Sequence, residues 1–178
     1  MRALALASLI LFAFPSAQAQ PQGRAAATAN QAPASLGEFQ SWTAASHAEN
    51  GQKVCYAFAR ARSAEGVPGR APASVMVLVT HRPGSRDQVA IRAAYGFARN
   101  TETKLTVGTT ELPFFTAGET AFARDGRAVV AALRGGREAV NRGAGPNGRG
   151  QATDTFPLAG FTAAYEAISR ECPAAGRR

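Results

Sequence analysis

Apolar and polar residues alternate with a period of two along much of the stretch from residue 40 to residue 125, and that period predicts strands. The segment FQSWTAASHAENGQKVCYAFARA reads as two strands about a turn. Trp42 is a core position of the first, and Asn50-Gly51 supplies the turn before Lys53–Arg60. In that second strand Val54, Tyr56 and Phe58 share one face, while Cys55, Ala57 and Ala59 share the other. The second face is built of small side chains and leaves room for a helix. EGVPGRAPAS is a loop by its Gly and Pro content. Val75 to Val79 is apolar on both faces, as a central strand is, and RPGSRD turns the chain. QVAIRAAYGF then predicts a strand with Val89, Ile91, Ala93, Tyr95 and Phe97 inward and Arg92 outward, and KLTVG, ELPFFT and TAFA predict shorter ones.

After residue 124 the period changes. DGRAVVAALRGG has Asp125 as N-cap, Val129, Val130 and Leu133 on a helical stripe, and Gly135-Gly136 as its stop. A strand, the Gly-rich loop NRGAGPNGRG and a second strand ending near Phe156 follow. The last element is a helix from about Phe161 to Glu171, with Phe161, Ala164, Tyr165, Ile168 and Cys172 on one stripe. Its natural dock is the small-residue face of the Cys55 strand. Six to eight strands and two short helices predict a mainly β, single-domain antiparallel β-sandwich, with one helix at the C-terminus and the helices covering an end or a face.

The ends change the picture of where this domain works. Residues 1–19 have the charged start (Arg2), apolar run (Ala3 to Phe14) and Ala17-Gln18-Ala19 cleavage site of a secretory signal peptide. The run is well short of the roughly 20 apolar residues that span a bilayer, and no later run is a candidate for an integral membrane segment. Residues 20–36 are rich in Ala, Gln and Pro, a composition that cannot offset its ordering entropy, and read as a disordered tether. Folding is expected to begin near Phe39, within a domain spanning 37–173 and followed by a tail, 174–178.

The formal net charge is +8, one less once Arg2 leaves, and Lys53 and Lys104 are the only lysines. An arginine-rich exported surface attracts phosphates and carboxylates of the envelope; export sets nucleic acid aside as a partner. Arg82 and Arg86 flank one turn and Arg142 and Arg149 another, so these four are the candidate contacts for an anionic partner. Cys55 and Cys172 are the only cysteines. In an oxidising compartment they allow a single intramolecular pairing. Such a bond closes a loop that restricts the unfolded chain by about 4–5 kcal/mol. The spacing is not that of a CxxC redox site, and two cysteines alone do not make a metal site.

Candidate chemistry is otherwise sparse. The Gly-rich loop lacks the Lys-Ser/Thr end of a phosphate-binding loop. His47 reads as a loop residue and His81 as the end of an apolar strand, neither in a metal-ligand pattern. Ser46 and His47, adjacent in sequence, would point to opposite faces of a strand and not form a hydrolytic pair. Asp154 reads as a turn or hydrogen-bonding residue. No cofactor or metal is expected, and the first reading is a non-enzymatic binding protein. The alternative is a cell-wall or surface-glycan hydrolase whose two carboxyls meet only on folding.

In order along the chain, WTAASHAENGQKVCYA, VTHRP, AAYGF, LPFFTAGETAFARD, VVAALRGG and GRGQATDTFPLAGFTAAYEAISREC resemble the invasion-associated locus B family of exported, mainly alphaproteobacterial proteins. The resemblance covers Phe39 to Cys172. Its most specific part is Arg149-Gly150, Thr153, Asp154-Thr155, Phe156, Leu158, Gly160-Phe161 and Cys172; Lys53-Val54-Cys55-Tyr56 matches as well and supports the cysteine pairing. Phe122 stands where the family often has Trp, and the serine and proline common soon after Cys-Tyr are absent. The resemblance implies an envelope protein, in the periplasm or peripherally attached to the outer membrane or secreted, that acts by binding an envelope protein or anionic envelope component. It implies no catalytic residues. The family is named for a factor that helps a pathogen enter host red cells, and similar proteins occur in free-living bacteria.

Overall fold

The computed structural model describes residues 32–174. The expected signal peptide, residues 20–31 of the expected tether and residues 175–178 lie outside them. Eleven strands form the domain: β1 (Ala34–Phe39), β2 (Trp42–Glu49), β3 (Gln52–Arg60), β4 (Ser63–Glu65), β5 (Met76–Arg82), β6 (Ser85–Arg92), β7 (Glu102–Val107), β8 (Thr110–Ala117), β9 (Thr120–Ala123), β10 (Glu138–Ala144) and β11 (Gln151–Pro157). Helix α1 (Gly126–Gly135) precedes β10, and α2 (Phe161–Glu171) follows β11. Every pairing is antiparallel, in the order β1-β2-β3-β5-β6-β9-β8-β7-β10-β11-β4.

Register explains the core. Residues directly opposite one another share a face, so Trp42, Ala59, Val77, Ile91 and Ala121 form one row across β2, β3, β5, β6 and β9. Ala44, Ala57, Val79 and Val89 form the next. All of these are buried, together with Leu105, Leu112, Phe114, Ala139 and Phe156 from the other half of the sheet. The two halves therefore enclose one core. After β3 the chain crosses to the far half, where the Arg62 amide donates to the Thr155 carbonyl (2.7 Å) and β4 pairs with β11. The expected antiparallel sandwich is thus one sheet folded over on itself, left open at β1 and β4.

The turns and caps follow the local chemistry. Asn50 and Gly51 both take positive φ (52° and 75°), as a two-residue hairpin turn demands. The Asp125 carboxylate accepts from the Ala128 amide (3.0 Å) and caps α1. Gly160 precedes α2 at φ 92°, and a Cβ there would lie 1.8 Å from the Phe39 carbonyl oxygen, so the approach of β1 to the helix start requires glycine. Helix α2 buries Phe161, Ala164, Ala167 and Ile168. Trp42 packs on Phe161 (4.8 Å between centroids) and donates its indole N–H to the Pro157 carbonyl (3.0 Å).

Three expectations are corrected. Among the described residues the strand count is eleven, not six to eight. β1 begins at Ala34, inside the stretch assigned to the tether. β6 ends at Arg92, not near Phe97: Ala94 takes φ 58°, and the Ala93 and Phe97 amides bond instead to the Glu119 and Gly118 carbonyls. The alternation there reflects burial of Ala93 and Tyr95 in a small separate cluster with Ala152.

Candidate functional site

Helix α2 ends over a buried row formed by Ser46, Cys55 and His81, which face one another across β2, β3 and β5. Cys55 and Cys172 are joined as a disulfide across 117 residues, with Cα atoms 6.0 Å apart. The bond fastens the end of α2 to β3, on the small-residue face expected to receive it. Beside it, a bulge on β6 sets Arg86 and Asp87 opposite the single residue His81. Asp87 adopts φ 55° there.

This bulge organises a polar network that no sequence motif announces. The Asp87 amide donates to His81 Nδ1 (3.3 Å), so that nitrogen carries no proton, and Nε2–H is assigned as donor to Ser169 Oγ (3.1 Å). Tyr165 donates its hydroxyl to Asp87 Oδ1 (2.6 Å). Arg86 donates to Ser169 Oγ (3.1 Å) and to the Cys172 carbonyl at the end of α2. Burial and then the Arg86 charge hold the His81 imidazole down at about 4, against the raising effect of Asp87. Ser169, His81 and Asp87 are the residue types of a hydrolytic triad, but Asp87 reaches His81 Nδ1 through its backbone amide. A triad base accepts the serine proton on Nε2 and donates Nδ1–H to the acid. Here both nitrogens have the reverse roles, and the network locks the helix in place.

Above this network opens a cleft of about 520 Å³ lined by Lys53, Arg82, Pro83, Gly84, Arg86, Arg127, Glu171, Cys172 and Pro173. Four cations face one carboxylate. Lys53 pairs with Glu171 (2.5 Å), Arg82 with Glu49 (3.1 Å), and Arg86 with the helix end; Arg127, at the start of α1, has no ion-pair partner among the described residues. Arg82 and Arg86 thus share a site as the shared turn suggested. Arg142 and Arg149 do not join them: Arg142 lines a different groove, on β7, β8 and β10, and Arg149 lies exposed in the β10–β11 loop. The reading of His47 as a loop residue is corrected, since it lies within β2.

Two further sets of charges bear on chemistry. Asp154 is fully buried on β11 and lies 2.7 Å from the equally buried Arg70, while Asn141 donates to its other oxygen (3.2 Å). Arg70 also donates to the Ala93 and Glu65 carbonyls and sits over the Tyr95 ring (5.2 Å). Burial raises the Asp154 carboxyl, and Arg70 and Asn141 offset this only in part. It is a hydrogen-bonding residue, as expected, but of the core and not of a turn. Glu102 and Glu111 share the Arg142 groove. Each is exposed and ion-paired, to Arg124 (2.5 Å) and Lys104 (2.9 Å). Glu111 stands opposite Thr106, four residues along β7 from Glu102. At about 3.3 Å per residue this is roughly 13 Å of backbone, and each carboxylate is held by its own cation.

The model of the family described as invasion associated locus B protein matches residues 42–169. The chain belongs to the invasion associated locus B family. Its fold is similar to the crystal structure of invasion associated protein B from Bartonella henselae, with a TM-score of 0.55 and 18% identity, over 76% of this chain and 95% of that one. No curated protein matches the chain. The motifs that carried the family resemblance are mainly architectural in this member: Asp154 in the buried ion pair, Gly160 and Phe161 at the start of α2, and Cys55 and Cys172 in the disulfide. Lys53, Arg82, Pro83, Glu171 and Cys172 are the residues of those motifs that line the basic cleft. Arg127 and Arg70 were not legible as site or core residues. Arg127 is separated in sequence from the other cleft cations, and Arg70 sits in a Gly/Pro loop that gives no sign of burial.

Proposed function

We propose that this family member is an exported, non-catalytic envelope protein that binds a phosphate- or carboxylate-bearing envelope component at the cleft between the β5–β6 turn, α1 and the end of α2. One observation carries this reading: Lys53, Arg82, Arg86 and Arg127 converge there against the single carboxylate Glu171. Guanidinium groups match phosphate and carboxylate geometry, and low local carboxylate content leaves the cleft a positive potential. The signal-like residues 1–19 and the disulfide support a periplasmic or secreted location, with peripheral attachment to the outer membrane as a consequence of binding. In a pathogen such binding would serve invasion, the role that the Bartonella protein's name carries.

The test uses the mature chain and phosphorylated lipopolysaccharide core oligosaccharide in isothermal titration calorimetry. Arg82→Glu/Arg127→Glu should abolish binding with little change in melting temperature, because both side chains are exposed and surface ion pairs contribute only about 0–1 kcal/mol. Arg86 is left intact because it caps α2. Binding by the variant at wild-type affinity would remove the cleft from the account.

A further inference from the structure

The outer face of the sheet carries a second surface. Phe58, Leu78, Ala90, Phe122 and Phe115 stand opposite one another in sequence across β3, β5, β6, β9 and β8, so one apolar row crosses five strands on the side away from the core. Phe115 (42%) and Phe122 (38%) are the large apolar side chains exposed there, and their rings stack at 5.5 Å. Between Leu78 and Phe122 the small Ala90 floors a groove of about 390 Å³, whose lining also includes Met76 and Thr120.

Arginines frame this row. Arg60 and Arg92 flank Met76 in the neighbouring row, Arg60 lies 6.0 Å from the Phe58 ring and Arg124 lies 5.8 Å from the Phe115 ring. Arg82 and Arg92 line the groove, and no acidic residue does. Glu49 and Glu102 at the border are taken up by Arg82 and Arg124, and Glu119 sits in the β8–β9 turn beyond Thr120. The patch runs about 20 Å along the strands, at about 3.3 Å per residue, and about 19 Å across them, at about 4.8 Å per strand.

We infer that this face adsorbs to an anionic lipid surface, with Phe115 and Phe122 entering the headgroup and acyl boundary while Arg60, Arg92 and Arg124 meet lipid phosphates. The dimensions select that occupant. An area of about 400 Å² is half of the about 800 Å² that each partner gives to a stable protein interface, whereas interfacial adsorption needs only apolar groups inside a basic frame. A second copy of the chain would bring arginine rims together and is disfavoured by like charge. The surface is separate from the basic cleft, although Arg82 borders both, so either can fail without the other.

The mature chain is floated with vesicles of phosphatidylethanolamine and phosphatidylglycerol, and with phosphatidylcholine vesicles. Wild type should bind the anionic vesicles and not the neutral ones. Phe115→Ser/Phe122→Ser should weaken binding about tenfold or more at unchanged melting temperature, Phe115→Leu/Phe122→Leu should restore it, and Arg92→Glu should weaken it, in line with apolar area and charge acting together. Arg127→Glu should leave it unchanged. Absence of wild-type binding, undiminished binding by the serine double variant, or selective cross-linking of Phe122 to an acidic protein in place of lipid would each overturn the inference.

Discussion

Acidification should loosen the α2 end of this protein through one side chain. His81 is 1% exposed and is held at about 4 in the folded protein, against 6.5 ordinarily. Between those values the unfolded chain binds a proton that the folded chain refuses. Its contribution is therefore fully present above pH 6.5, falls as the pH drops toward 4, and levels off below it. The loss amounts to about 2 kcal/mol by pH 5 and about 3 kcal/mol by pH 4, from 1.36 kcal/mol per pH unit. Urea unfolding at pH 7, 5 and 4 measures it, with His81→Gln as the comparator, because glutamine retains an N–H donor toward Ser169 Oγ but does not titrate. Asp154, raised by burial, contributes with the opposite slope over the carboxylate range and cancels in the comparison. The wild type should lose about 3 kcal/mol more than the variant between pH 7 and 4. Parallel acid dependence in the two proteins would refute the assignment of His81 as a buried neutral donor.

Two other perturbations have magnitudes set by the structure. Removing the disulfide as Cys55→Ala/Cys172→Ala opens a loop of 117 residues and should cost about 5 kcal/mol in the chain-entropy estimate, read as a lower urea midpoint in the variant; a shift under about 1 kcal/mol would show that α2 is held without it. Arg70→Met leaves the Asp154 carboxyl buried without its cation and should cost about 3–5 kcal/mol, while Arg70→Met/Asp154→Leu should recover much of that loss; equal melting temperatures for the single and double variants would contradict the ion-pair reading.

Where the sequence was informative, the informative signal was local. The span of α2 and the cap of α1 followed from helical stripes and from Asp125, and the pairing of Cys55 with Cys172 needed only parity and facing surfaces. β4 has three residues and β1 begins among small residues, so neither carries enough alternation to be read. Tyr95 and Phe97 kept the period of a strand because burial imposes it even on a chain pinned by the Gly118 and Glu119 carbonyls. The cleft was half legible: Arg82 and Arg86 meet because one turn joins them, but Arg127 reaches them only through the packing of α1. The Asp87 conformation that creates the His81 network has no unique residue-type signature, since aspartate, though enriched among the uncommon non-glycine residues at positive φ, mostly adopts other conformations. The outer row of Phe58, Leu78, Phe122 and Phe115 depends on a strand order, β3-β5-β6-β9-β8, that no single segment encodes.

The proposed cleft is tested most directly by photo-cross-linking in intact cells, with a photoreactive side chain placed at Pro83, inside the cleft, or at Arg149, in the β10–β11 loop. Capture of one anionic envelope component from Pro83, lost in the Arg82→Glu/Arg127→Glu background and absent from Arg149, is the expected result. Equal capture from both positions, or capture from Pro83 that survives the charge reversal, would contradict binding at this cleft.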